Sequence, residues 1–134
     1  ITRKTFEKRI AKARTFGFLK EVEMLHKNGL ALGASLENAV VIGDQSVLNH
    51  EGLRFSDEFV RHKVLDIIGD LYLLGAPMRA KVVAEKSGHD LHCKAVKTLM
   101  ATRSAWRYSD SFVEETTVSR WHRDIAPAGA GAML

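Results

Sequence analysis

The chain has 134 residues, of which 46% are hydrophobic and 27% charged, with a formal net charge of +4. This is ordinary globular composition at the length of one domain, so disorder is not the default. No apolar stretch approaches the roughly 18 uncharged residues of a membrane-spanning helix.

The opening Ile1-Thr-Arg-Lys-Thr-Phe has no signal-peptide core, and Cys93 is the only cysteine, which leaves no intrachain disulfide. The expected setting is soluble, reducing and cytoplasmic. Positive charge gathers in the first twenty residues, at Arg3, Lys4, Lys8, Arg9, Lys12, Arg14 and Lys20. It favours anionic partners in general, although a solvated basic face is the preferred account of it.

In chain order, Phe6 to Ala13 reads as a short helix or an edge segment, and Gly17 is placed to turn the backbone. Phe18 to Asn28 is amphipathic, with Phe18, Leu19, Val22 and Leu25 on one side, and Asn28-Gly29 is a C-terminal cap. Asn38 to Ile42 is a compact β-branched strand, and Ser46 to Asn49 a second one that can pair with it as a hairpin. A long helix follows from Phe59 toward Gly75, with Ser56 as its expected N-cap and Asp57 and Glu58 as dipole-matched charges in the first turn. Ala80 to Glu85 reads as a strand, and Asp90 to Arg103 as a second long helix. The glycine- and alanine-rich end from Ala126 reads as a disordered tail.

The expected fold class is therefore α+β, a two-layer sandwich of helices on a small mixed sheet. Three or so short strands are few for these helices, which suggests that strands outside this stretch complete the layer.

The most informative chemistry lies on the long helix, where His62, Asp66 and Asp70 recur every fourth residue within an apolar run. Residues four apart share a helical face, so an imidazole and a carboxylate there can converge on one metal ion. A bare His-x-x-x-Asp is also an ordinary surface ion pair. His89, in the turn Ser87-Gly-His after the expected strand, is presented on a loop, where catalytic groups are commonly found, and an acid such as Asp70 could accept its hydrogen bond and keep it protonated. His92 and Cys93 imitate ligand spacing with His89, and half-buried packing explains the cysteine as well. Phe16, Phe18, Leu19 and Val22, with the strand from Ala39 to Ile42, could line a narrow apolar channel or simply form core.

Several phrases, in order, carry a resemblance: Ala13-Arg-Thr-Phe-Gly-Phe, Leu32-Gly-Ala-Ser-Leu-Glu-Asn-Ala-Val-Val, Asp57-Glu-Phe-Val-Arg-His-Lys-Val-Leu-Asp, Ile68-Gly-Asp-Leu-Tyr-Leu-Leu-Gly and Lys86-Ser-Gly-His. From about Ala11 to Leu99 the chain resembles the C-terminal half of the two-domain UDP-3-O-acyl-N-acetylglucosamine deacetylases, zinc amidases of lipid A synthesis in Gram-negative bacteria. The resemblance implies that His62 and Asp66 are two of three ligands to Zn2+, with Fe2+ as the other candidate. It implies that His89 stabilises the oxyanion and protonates the leaving amine, held by Asp70, with Thr15 near the scissile carbonyl. Lys63 would contact the nucleotide-sugar, Lys86 and Gly88 would approach its diphosphate, and Phe16, Leu19, Val22, Leu36, Ala39 and Val41 would line the passage for the acyl chain.

The third ligand and the glutamate base of that family belong to its preceding domain, so residues 1–108 read as a partial second domain, inactive without the missing part, and 109–134 as an extension. Asp90-Leu-His-Cys stands where the family more usually has Ala-Leu-Asn-Asn. The implied substrate is UDP-3-O-acyl-N-acetylglucosamine, with neither nucleic acid nor a transmembrane segment involved. The rival reading, a basic nucleotide- or nucleic-acid-binding module without catalysis, rests on the basic first twenty residues alone and lacks a stacking platform.

Overall fold

The structure, a computed structural model, describes residues 1–109; the expected tail and all but the first residue of the expected extension lie outside the described residues. The chain forms two compact units, Ile1–Leu65 and Asp66–Leu134. The class is α+β, as expected.

In the first unit, α1 (Arg3–Arg9) starts at Thr2, whose hydroxyl accepts the Thr5 N–H at 3.1 Å. Then come β1 (Thr15–Phe18), α2 (Leu19–Lys27) and β2 (Ala39–Ile42). The two strands pair in parallel, Thr15 opposite Ala39 through Phe18 opposite Ile42. Parallel strands require a crossover of a dozen or more residues, and α2 with its following loop provides one. Asn28 and Gly29 end α2 as expected: the Asn28 side-chain amide donates to the Met24 carbonyl at 2.8 Å, and Gly29 takes φ 72°, which suits a residue without Cβ.

Three expectations are corrected here. Gly17 does not turn the chain but sits inside β1 opposite Val41, because parallel pairing holds Thr15 to Phe18 extended. Ser46 to Asn49 forms no strand; Val47 makes a single antiparallel bridge to Ile42. The outer edge of β2 is completed by a side chain instead. Asn49, buried, accepts the Val41 N–H at 2.9 Å and donates to the carbonyls of Leu36 and Ala39 at 2.7 and 2.8 Å. A buried amide with every arm occupied replaces a short stretch of ladder at no desolvation loss. Finally, the long helix α3 (Glu58–Leu71) begins at Glu58, which puts Asp57 rather than Ser56 immediately before it; Asp57 ties back to Arg61 at 2.6 Å.

Glu58 is also not the solvated first-turn charge that the sequence suggests. It is fully buried, and Arg14 is nearly so. One carboxylate oxygen accepts the Arg14 backbone N–H and Nε, both at 3.0 Å; the other accepts Arg14 Nη2 at 3.2 Å and the Arg54 N–H at 2.6 Å. The rest of the guanidinium reaches Glu51 and the Gly52 carbonyl. Just beyond this clamp, Phe59 of α3 packs on Phe16 of β1 with ring centroids 4.7 Å apart, which lays the helix on the strand pair.

The second unit holds the last turns of α3, a 3₁₀ turn (Tyr72–Leu74), α4 (His89–Ala101) and a further 3₁₀ turn (Arg103–Ala105). Gly75 ends the first of these turns at φ 74°. Ala80 to Glu85, expected as a strand, is irregular chain without a ladder: Val82 and Val83 are exposed and no strand pairs with them among the described residues. β-Branched composition is a preference for a pleated, half-buried surface and cannot substitute for a partner strand. No helix of the described residues is long and apolar enough to cross a membrane.

Burial alone would push the Glu58 carboxyl up, but the hydrogen bonds from Arg14 and Arg54 and the Arg14 charge override it and hold the group down at about 2, from 4.5. A carboxyl lower in the folded than in the unfolded state stabilises fully above about pH 4.5 and loses that contribution as the pH falls toward 2, roughly 3 kcal/mol in all. Acid titration of unfolding should show this loss. Glu58→Gln should abolish that part of the acid dependence and destabilise at pH 7 by about 3 kcal/mol, because the buried Arg14 keeps only the half-exposed Glu51 as a counter-charge; an unchanged denaturant midpoint would refute the assignment.

Candidate active site

α3 presents His62, Asp66 and Asp70 one turn apart, all partly buried. His62 Nδ1 lies 3.3 Å from the Ala13 carbonyl, an acceptor only, so Nδ1 carries its proton toward it. Fixing the tautomer of an imidazole through a backbone carbonyl is the usual outer-shell arrangement of a metal-ligating histidine. The donor chemistry of His62 and Asp66, imidazole nitrogen and carboxylate oxygen, suits a divalent ion of the zinc or iron type.

In the second unit, Asp70 is the hub. Its Oδ2 accepts Nδ1–H of His89 at 2.7 Å and Nδ1–H of His92 at 2.6 Å, and His92 Nε2 meets the Ser87 hydroxyl at 2.8 Å. The side chains differ sharply in access: His89 is 66% exposed, Asp70 18% and His92 7%. Burial works to raise the Asp70 carboxyl, but the hydrogen bonds from His92 and then His89 outweigh it and hold the group below its ordinary value, ionised at neutral pH. An ionised carboxylate only accepts, so both histidines carry their proton on Nδ1 toward it.

Asp70, His89 and His92 also place three ligand-type atoms within 4.8 Å of one another, a group that could hold a metal ion. Their 2.6–2.7 Å separations are hydrogen-bond lengths; two donors tetrahedrally placed around zinc would stand about 3.3 Å apart, so metal entry would require the three to spread. Beside them lies a pocket of about 170 Å³ walled by apolar residues such as Ile67, Leu71 and Leu91, with Glu85, Ser87 and His92 as polar members.

The remaining expected residues are distributed as follows. Thr15 opens β1 next to the buried Arg14 and is exposed; Ala39 and Val41 are buried in the strand pair; Phe16 and Val22 are half-buried. Phe18, Leu19 and Leu36 are exposed apolar side chains, and α2 buries none of its residues, so its apolar stripe lies open. Lys63 follows His62 on α3 and is partly buried. Lys86 is exposed with φ 47°, and Gly88 is the extended residue before α4.

Two residues do more than the sequence pattern assigns them: Glu58, expected as a first-turn dipole charge, is buried against Arg14, and His92, which with Cys93 imitates ligand spacing to His89, is bonded to Asp70 and Ser87. The signal that could have singled out His92 is its place one turn after His89 on the same helix, facing whatever His89 faces.

The family model described as UDP-3-O-acyl N-acetylglycosamine deacetylase matches residues 1–101. Among curated relatives, a UDP-3-O-acyl-N-acetylglucosamine deacetylase from Pseudoalteromonas translucida is 49% identical over 96% of this chain and 42% of its own length. One from Syntrophotalea carbinolica is 47% identical over 99% of this chain and 41% of its own, and one from Coxiella burnetii 53% over 76% and 34%. The chain thus spans about two fifths of the length of the relatives it matches.

The shared Asp70 oxygen can be checked in solution. Two-bond ¹H–¹⁵N correlation spectra should find His89 and His92 both protonated at Nδ1, and Asp70→Leu should move the exposed His89 toward the Nε2–H form that free imidazole prefers. Unchanged tautomers in that variant would contradict the assignment.

Proposed function

We propose that this chain, which belongs to the UDP-3-O-acyl-N-acetylglycosamine deacetylase family, supplies part of the site at which UDP-3-O-acyl-N-acetylglucosamine loses its acetyl group in lipid A synthesis. The observation that carries the reading is an exposed imidazole, His89, backed by an ionised and largely buried carboxylate, Asp70. The printed names of the relatives give the substrate; the chemistry of these two groups is what removal of an amide-bound acetyl requires.

His62 and Asp66 are the residues that would hold the metal, zinc or iron. A divalent ion bound there supplies Lewis acidity, which makes a water nucleophilic at neutral pH and polarises the acetamide carbonyl. The chain's own residues do the rest of what is assigned here. With its Nδ1–H donated to Asp70, His89 in the imidazolium form offers Nε2–H to the developing oxyanion and then to the departing amine nitrogen. The hydrogen bond to Asp70 keeps the ring oriented for that task. The third ligand and the base that takes the proton of water belong, in this reading, to the rest of the enzyme, and this chain alone lacks activity.

Thr15 stands near the scissile carbonyl, Lys63, Lys86 and Gly88 take the nucleotide-sugar, and Phe16, Phe18, Leu19, Val22, Leu36, Ala39 and Val41 wall the acyl chain. The open apolar stripe of α2 supports the last assignment, since each acyl methylene buried against Phe18, Leu19 or Leu36 contributes about 0.8 kcal/mol.

The test uses the complete enzyme containing this segment. Chelation should stop acetate release, and added divalent metal should restore it. His62→Ala or Asp66→Asn should lose bound metal and activity together. His89→Ala should retain the metal and lower kcat by about 10²–10⁴-fold. Metal retained by the first two variants but lost from Asp70→Asn would transfer the metal to the Asp70, His89 and His92 group.

A further inference from the structure

Among the described residues of the second unit, His92 is the buried ionisable side chain that the proposed reaction leaves without a task. Its ring joins two elements: Nδ1 donates to Asp70 Oδ2 on α3, and Nε2 meets the Ser87 hydroxyl on the loop leading into α4. The loop needs such a fixing point. Lys86, one residue earlier, holds φ 47°, a left-handed conformation that a side chain-bearing residue keeps only where its surroundings impose it. The rings of His89 and His92 stand at 82° with centroids 6.2 Å apart, so the two donors approach the same oxygen from different directions. A carboxylate oxygen held by one donor can swing about the Cβ–Cγ bond; held by two crossed donors, it cannot without breaking one.

We infer that His92 is a positioning residue for His89, pinning Asp70 Oδ2 and Ser87 together so that the exposed imidazole is presented in one direction. This deepens the deacetylase reading and rests on His89 acting as the acid. At 7% exposure the His92 side chain is screened from substrate, so its loss acts on the chemical step rather than on binding. Misplacing an acid by an ångström or less is enough to slow a reaction without weakening substrate affinity.

The two arms can be separated by amides. Asn places its side-chain nitrogen where His carries Nδ1, and Gln places its own nearer Nε2. His92→Asn therefore keeps the Asp70 arm and gives up Ser87, whereas His92→Gln does the reverse. In the complete enzyme, with acetate release as the assay, His92→Asn should lower kcat about threefold and His92→Gln about thirtyfold, both at unchanged KM. The two variants should have similar melting temperatures, each having lost one hydrogen bond. Equal kcat in the two, or losses that follow KM or melting temperature, would overturn the inference. His89→Ala in the same enzyme separates the layers of the argument. If it abolishes turnover while the amide variants are indistinguishable, only the positioning role falls; if it keeps parental kcat, the acid role falls and the positioning role with it.

Discussion

The buried ion pair between Arg14 and Glu58 is the constraint on which the first unit depends. It joins the residue before β1 to the first residue of α3, and through Arg54, Gly52 and Glu51 it gathers the loop between them. A charged group this deep is tolerable only when every acceptor is used, and the four donors on Glu58 meet that condition. The consequence reaches the chemistry through geometry. Arg14 sits between Ala13, whose carbonyl accepts the His62 Nδ1–H, and Thr15, the first residue of β1. One ion pair thus sets the start of the strand, the start of the helix and the tautomer of a candidate ligand one turn into it.

What could be read from the sequence divides along the range of the forces involved. The amphipathic α2, the β-branched β2, the length of α3 and the helix from His89 all follow from periodicity and local stop signals, which act over a few residues. β1 did not show itself, because Thr15-Phe-Gly-Phe has an interior glycine and becomes a strand only through β2, more than twenty residues away. Ala80 to Glu85 failed for the opposite reason: its composition favours a strand, yet no partner lies beside it among the described residues. Glu58 looked like a helix-dipole charge because nothing in its own segment announces Arg14, 44 residues earlier.

The candidate site was legible in part for the same reason. His62, Asp66 and Asp70 declare themselves by helical spacing, since their relation is local. The pairing of His89 with Asp70 was accessible only as a chemical expectation joined to a resemblance, and the structure places Nδ1 at 2.7 Å from the carboxylate. His92 was opaque. A histidine three residues after another on a helix acquires meaning only when an acceptor from another element stands between their rings, and Asp70 is that acceptor.

Glu58 and Asp70 are the same chemical device put to different ends, and the access of their donors tells them apart. Both are carboxylates withdrawn from solvent and held below their ordinary ionisation range by hydrogen bonds. Around Glu58 every donor is main chain or a nearly buried guanidinium, so the charge is spent internally and the arrangement can only hold the fold together. Around Asp70 one donor is buried and the other is two-thirds exposed. That asymmetry gives the second carboxylate an outlet: it holds, by a hydrogen bond, a ring that solvent can reach. A closed carboxylate builds; a carboxylate with one exposed imidazole is equipped to pass a proton.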